Sequence, residues 1–307
     1  MVVGDNPDDR PLSFDGFAVI GVVYLVVPTV LLLFYISFNL VLATDYEFGK
    51  MQVHRLMLYI GMLDCIQLFC HAFAGVATLW MGITVSLPFL CKFIGATLNS
   101  AWVALFPLSV LIAIHRLFLF HTSIRPNSDF PWPVKVGLAI CFVYWFGFWT
   151  ILATLAEVTY HPESVSWSYG TDRWSVFMEN LEFIVCNVSI AVTFSVYVVI
   201  AVLAYKMRTG RSKSLQRSEL RLLLHATLMF TILTSLLFAW HYYFILPSSN
   251  WTFFAINMYW ILYCCLNPFL YMIFSRLVAF RVSLETKKNS PFTRLYPAIV
   301  VSYRNRE

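Results

Sequence analysis

Charge is what this sequence has least of. Asp, Glu, Lys and Arg make up 12% of its 307 residues, against roughly 25% in a typical soluble domain. With 60% hydrophobic residues and a mean hydropathy of +0.73, the shortage excludes a water-soluble globule and makes lipid the main solvent. A basic leader is missing too. The first sixteen residues hold Asp5, Asp8, Asp9 and Asp15 against Arg10, so no cleavable signal peptide is expected and the first apolar run acts as signal and anchor together. Cysteine suited to bridging is scarce. Six of the seven (Cys65, Cys70, Cys141, Cys186, Cys264, Cys265) lie in or beside apolar stretches, where a thiol behaves as a small hydrophobe. That excludes a disulfide scaffold, and Cys91 alone stands where a disulfide would be natural. Metal-ligand spacing is absent. The seven histidines (His54, His71, His115, His121, His161, His225, His241) include no pair at i, i+3 or i+4 on one helix, which argues against a metal-dependent membrane enzyme. No catalytic residue and no metal site are expected. There is no internal repeat, and the C-terminal tail offers no cysteine for a palmitoyl anchor.

What the chain does have is seven apolar runs, at about Phe17–Ala43, Leu56–Trp80, Phe93–Ile114, Val136–Ala156, Phe183–Tyr205, Leu222–Leu246 and Phe253–Phe274. Each has about 20 residues or more, enough to cross a hydrocarbon layer about 30 Å thick. Pro28, Pro107 and Pro268 fall inside runs, where neighbouring helices re-satisfy the freed carbonyls. The fold class is therefore all-α, a bundle of seven transmembrane helices. Placing the N-terminus outside leaves only Arg10, Lys92 and Arg173 of the 21 basic residues on the outer side, the bias expected of an N-out, C-in protein. Lys206–Arg221 is the most basic segment, read first as a positive-inside loop on anionic lipid and second as a docking surface for an acidic partner. After Phe274, Leu277, Val278 and Phe280 alternate with Arg276 and Arg281, the pattern of a short amphipathic helix on the inner surface. The expected organisation is an outer tail at 1–16, a receptor bundle at 17–282 and an inner tail at 283–307.

Polar residues inside runs are costly and draw attention. Asp64 lies about two turns inside the second run. Asn39 in the first run and Asn267 in the last fall at similar depth, so the three are expected to share a polar cluster. The bland alternative is a neutral Asp64 that cross-links helices. Arg116 ends the third run, where a snorkelling arginine is commonplace. Run seven carries Asn267-Pro268-Phe269-Leu270-Tyr271, whose proline removes a backbone hydrogen bond and lets that turn flex.

In their order along the chain, Asn39, Asp64, the Cys91-to-Arg116 interval and Asn267-Pro-x-x-Tyr271 resemble the rhodopsin-like G-protein-coupled receptors. His115 stands where that superfamily has an acid before the arginine, and Trp240 is followed by His241 and Tyr242 in place of Trp-x-Pro. With these departures, Leu58–Cys65, His71, Gly75, Ala101-Trp102 and Leu111–Leu117 resemble the nematode serpentine chemoreceptors of class T or class X. The resemblance implies a multi-pass receptor of the plasma membrane, sensory cilia included. It would bind a small molecule from outside and activate a heterotrimeric G protein inside, with no cofactor and no nucleic-acid partner. The ligand residues it implies are His71, Leu98, Asn99, Trp102, Asn187, Trp240, Tyr243, Phe244 and Asn257. The activation and coupling residues are Asn39, Asp64, His115, Arg116, Tyr197, Asn267, Pro268 and Tyr271. Cys186 is the candidate to pair with Cys91. Leu98 stands where aminergic receptors have an aspartate, and Ile261 where opsins have the retinal lysine. Glu219 is a candidate to hold Arg116 at rest; with His115 in place of an acid, Arg116 lacks the neighbouring anionic restraint and raised basal activity is expected. Two alternatives stay open: a seven-helix transporter or channel, which predicts more intramembrane charge and broken helices, and an orphan seven-helix receptor without G-protein coupling.

Overall fold

The computed structural model describes residues 14–44, 52–121, 130–206, 213–247 and 249–274. Seven long helices dominate it: α1 (Phe14–Thr44), α2 (Gln52–Leu79), α3 (Pro88–His121), α4 (Trp132–Thr154), α5 (Arg173–Lys206), α6 (Lys213–His241) and α7 (Asn250–Phe274). All seven have a stretch long and apolar enough to span a membrane. The amphipathic helix expected after run seven lies outside the described residues, as do the inner tail and residues 1–13 of the outer tail, whose last three residues open α1.

Lipid explains how these helices are built. Their outward faces are apolar: Val19, Val22, Val26, Val30, Leu33 and Leu40 of α1 are all exposed, a pattern that would drive aggregation in water. The exposed hydroxyl side chains of α1 are satisfied within their own helix. Thr29, Ser37 and Thr44 donate to the carbonyls of Leu25, Leu33 and Leu40 at 2.6, 2.8 and 2.7 Å, so none presents a bare polar group to hydrocarbon. The spans of α2, α3 and α7 are half or more buried against 17% for α4, which makes those three the inner helices. Small residues bring them close. At Gly75 of α2 an added Cβ would sit 2.7 Å from the Tyr24 carbonyl carbon, so α1 and α2 cross at backbone distance, as small residues permit in membranes.

The connection between α4 and α5 is not an open loop. Val158–His161 (β1) and Ser166–Tyr169 (β2) form an antiparallel hairpin, with Val158 opposite Tyr169 and His161 opposite Ser166. A two-stranded hairpin is marginal in water; this one is seated on the bundle. Val158, Tyr160, Val165 and Trp167 are buried. Tyr160 and Thr78 of α2 share a hydroxyl–hydroxyl bond of 2.7 Å. Asn257 of α7 donates to the Val165 carbonyl at 3.0 Å. Gly95 of α3 leaves room for the Val158 carbonyl, where any side chain would collide. Val165 holds φ 55°, a strained region for a β-branched residue, and the surrounding contacts over-determine it.

This fastening replaces the pairing suggested for Cys91 and Cys186, and both are free thiols. Cys91 lies in the first turn of α3, about two to three turns nearer the hairpin than Asn99 and Trp102. Cys186 lies one turn deeper than Glu182, which bonds those two residues. At 1.5 Å per residue the cysteines are about 20 Å apart in depth, far beyond the roughly 4.4–6.8 Å Cα spacing of a disulfide. The start of α5 also differs from expectation. The apolar run begins at Phe183, whereas the helix begins at Arg173. Asp172 caps it: its Oδ1 accepts the backbone N–H groups of Trp174 and Ser175 at 2.9 and 3.0 Å. The Ser175 hydroxyl also donates to the carboxylate. These bonds hold the Asp172 carboxyl below its ordinary pKa.

Candidate functional site

Beneath the hairpin lies a cavity of about 300 Å³, walled by α3, α5, α6, α7 and both strands. Of the nine residues expected to hold a ligand, Leu98, Asn99, Trp102, Trp240 and Tyr243 line it. His71 sits outside the wall, fully buried on α2 with its ring 4.9 Å from that of Trp260. Asn257 serves the lid through Val165. Two expectations are corrected. Asn187 turns back on its own helix, donating to the Phe183 carbonyl at 2.7 Å, because an amide facing lipid has no better acceptor. Phe244 is 70% exposed on a short 3₁₀ turn (Tyr243–Ile245) beyond α6, since the helix ends at His241 rather than running on to Leu246.

The dominant polar feature of this cavity is a residue the sequence places among loop acids. Glu182 of α5 is buried at 7% exposure. Its Oε1 accepts the Trp102 indole N–H at 3.1 Å, and its Oε2 accepts the Asn99 amide at 3.1 Å and the Tyr169 hydroxyl at 2.6 Å. Burial, and next the Glu182 carboxylate, raise the Tyr169 phenol well above its ordinary pKa, so it stays protonated as a donor. The sequence signal of Glu182 was weak: Arg173, Glu179, Asn180 and Glu182 itself break the apolar pattern before Phe183, hiding the first turns of α5.

The floor is aromatic. Trp260 of α7 lies 4.9 Å from Trp102 and 5.6 Å from Trp240, ring centre to ring centre. Below it, the Trp260 indole donates to Gln67 of α2 at 2.7 Å. One side chain thus joins both walls of the cavity to the middle of the bundle.

There Asp64 is buried at 1% exposure and accepts the Tyr35 hydroxyl at 2.8 Å; Asn267 also faces it. Of the expected trio, Asp64 and Asn267 meet, while Asn39 packs against Gly61 and donates to the Cys65 sulfur at 3.5 Å. Tyr35, one turn before Asn39, is the partner that sequence reading missed.

A family model for serpentine type 7TM GPCR chemoreceptors, Srt, matches residues 15–289, from the first turn of α1 past the end of α7. This chain belongs to the Srt chemoreceptor family. That is a receptor family rather than an enzyme family, and its members are multi-pass membrane proteins. The Srt chain also has the rhodopsin fold: it superposes on the crystal structure of squid rhodopsin with a TM-score of 0.70, covering 92% of this chain and 89% of that one at 12% identity. No curated protein matches the chain.

The far end of the Srt bundle gathers the remaining sequence-predicted residues. A cavity of about 60 Å³ is lined there by Arg116 and His115 of α3, Tyr197 of α5, His225 of α6 and Asn267 of α7. Tyr197 and His225 are near enough to Arg116 to feel its charge. His115 turns away into the core at 1% exposure, its Nε2 2.7 Å from the Gln52 Oε1 of α2. Tyr271 is buried and hydrogen-bonds the His54 ring of α2, with the His225 ring 6.4 Å away. Pro268 lies between Asn267 and Tyr271 within α7. Histidines scattered in sequence are thus collected from α2, α3 and α6 around Arg116 and Tyr271.

Proposed function

We propose that this Srt chemoreceptor binds a small molecule in the cavity under the hairpin and activates a heterotrimeric G protein at the Arg116 end. The observation that carries the reading is the cavity itself. Aromatic side chains, four of them tryptophan, wall it together with convergent polar groups such as Asn99, Glu182 and His241, and apolar walls with placed polar groups suit a small-molecule site. The hairpin side holds Lys92 and Arg173, and the opposite side holds most of the Lys and Arg, which supports the N-terminus outside and the C-terminus inside. The plasma membrane, a surface helix within 275–282 and tails flanking a 17–282 bundle belong to the same reading. A ligand that favours the active arrangement shifts a two-state equilibrium by no more than its differential affinity. Trp260 carries that bias from the cavity floor to Gln67 and the Asp64 layer. At the inner end, Arg116, Tyr197, His225, Asn267 and Tyr271 rearrange around the Pro268 turn, and a cleft opens for a G-protein helix.

Filling the cavity tests this. Leu98→Trp places an indole in a space of about 300 Å³. In cells reporting G-protein activation against a broad mixture of volatile and water-soluble small molecules, Leu98→Trp should abolish the mixture-dependent rise while leaving basal signalling in place. An undiminished response from a variant present at the surface at normal level would rule the cavity out as the ligand site.

A further inference from the structure

The cavity's charge has a chemical meaning of its own. Glu182 is an acid set into an aromatic wall, and its bonding partners Asn99, Trp102 and Tyr169 are neutral donors. Among the described residues no Lys or Arg lines the cavity. The base that faces the carboxylate is His241 of α6, which is engaged at Nδ1, 3.1 Å from the carbonyl oxygen of Leu237 in its own helix. A second acid, Glu179, lies one turn earlier on α5 and also lines the space, so the two carboxylates share a helix face. Burying a carboxylate with no Lys or Arg among the described residues of the wall is costly unless a counter-charge arrives, and an anionic ligand would raise that cost.

The walls favour the same occupant. Trp102, Trp240 and Trp260 all line the cavity and pack on one another, and an indole is the best aromatic partner for a desolvated cation. The indole N–H groups of Trp167 and Trp240 are buried without an acceptor, and both residues line the cavity. A ligand bearing an acceptor would complete them.

We propose that the ligand of this cavity is a small organic cation, a protonated or quaternary amine, whose charge is seated on Glu182 between the tryptophan faces. The proposal rests on the reading of the cavity as the ligand site. It also moves the counter-ion: the acid comes from α5, not from position 98 of α3, where the sequence has leucine. At about 300 Å³ the space is at the small end of ligand pockets, roughly 300–1,000 Å³, so the cation is of small-metabolite size and carries at most a short acceptor-bearing arm.

The test uses the full receptor in lipid nanodiscs. Thermal unfolding is followed with a panel of primary, secondary and quaternary ammonium probes (2-phenylethylamine, N-methyl-2-phenylethylamine, choline) and their neutral counterparts (2-phenylethanol, 3,3-dimethylbutanol). Ammonium probes should raise the midpoint at concentrations roughly tenfold or more below those of the neutral ones. Glu182→Gln should erase that difference, and Glu179→Gln should reduce it only partly. If Glu182→Gln fails to fold, the charged-versus-neutral comparison on the wild type decides alone. Equal stabilisation by charged and neutral probes, or a preference for cations that survives Glu182→Gln, overturns the proposal. Stabilisation by neutral probes alone, lost in Leu98→Trp, overturns it too, but leaves the cavity as the ligand site. No stabilisation by any probe of either kind removes the cation proposal and counts against the cavity reading as well.

Discussion

Gly95→Ala should be the most damaging single methyl that can be added to this receptor. The new Cβ would fall far inside van der Waals contact distance of the Val158 carbonyl oxygen and 2.7 Å from its carbonyl carbon. The obstacle is backbone, so no rotamer change relieves it. Either α3 moves or the hairpin lifts. Lifting the hairpin strains three other fastenings together: the Tyr160–Thr78 bond, the Asn257–Val165 bond and the Tyr169–Glu182 bond. Overpacking typically costs about 1–3 kcal/mol, and each intramolecular hydrogen bond weakened adds about 1 kcal/mol. A loss of about 3 kcal/mol or more is expected, with the cavity roof displaced. Gly147→Ala is the matched control, because an added Cβ there meets nothing within 4 Å; it should be neutral or stabilising by up to about 1 kcal/mol in a helix interior. Thermal unfolding of the two purified variants checks the contrast. Equal midpoints would mean that the hairpin is not pressed against α3.

Trp260→Ala is expected to cost about 3–5 kcal/mol, the range for deleting a buried large aromatic. The side chain is 4% exposed and touches Trp102, Trp240 and His71 with its ring while its N–H serves Gln67. Two contributions can be separated. Trp260→Phe keeps much of the ring contact and loses the donor, leaving the Gln67 oxygen buried without it, a cost of about 1–3 kcal/mol. The Phe variant should therefore fall between wild type and Ala in thermal stability. It should also lose ligand-driven signalling more than ligand binding, because the bond it deletes points away from the cavity towards the Asp64 layer. A Phe variant with wild-type signalling would show that the link runs through another side chain.

The sequence made the bundle legible because lipid imposes a simple rule: a chain that cannot hydrogen-bond to its solvent must do so within its own helices. Seven apolar runs therefore mark seven helices, and the membrane-depth Asp64 and the Asn267-Pro268-x-x-Tyr271 turn stand out against them. Where water or other protein replaces lipid, the rule fails. The first turns of α5 are polar and capped by Asp172, so Glu182 reads as a loop acid although it is buried. The hairpin has two strands of four residues each, too short to announce themselves, and exists because Gly95, Thr78 and Asn257 hold it. The partners of His54, His115 and His225 come from other helices, and nothing local in the sequence encodes those meetings. The same reason hid Tyr35 from the account of Asp64. A pairing of Cys91 with Cys186 was implied by the receptor resemblance alone, and depth along the helices rules it out.

The measurement that tests the central claim most directly is guanine-nucleotide exchange on a panel of purified heterotrimeric G proteins, with the wild-type receptor in nanodiscs beside Arg116→Ala. The account predicts exchange above background by wild type even without added ligand, because His115 stands where rhodopsin-like receptors have an acid before the arginine. It predicts loss of that exchange in Arg116→Ala at unchanged thermal stability. Exchange that persists in the variant would remove Arg116 from the coupling surface. No exchange with any G protein, with or without the chemical mixture, would contradict G-protein coupling itself and return the seven-helix bundle to the transporter or uncoupled-receptor readings.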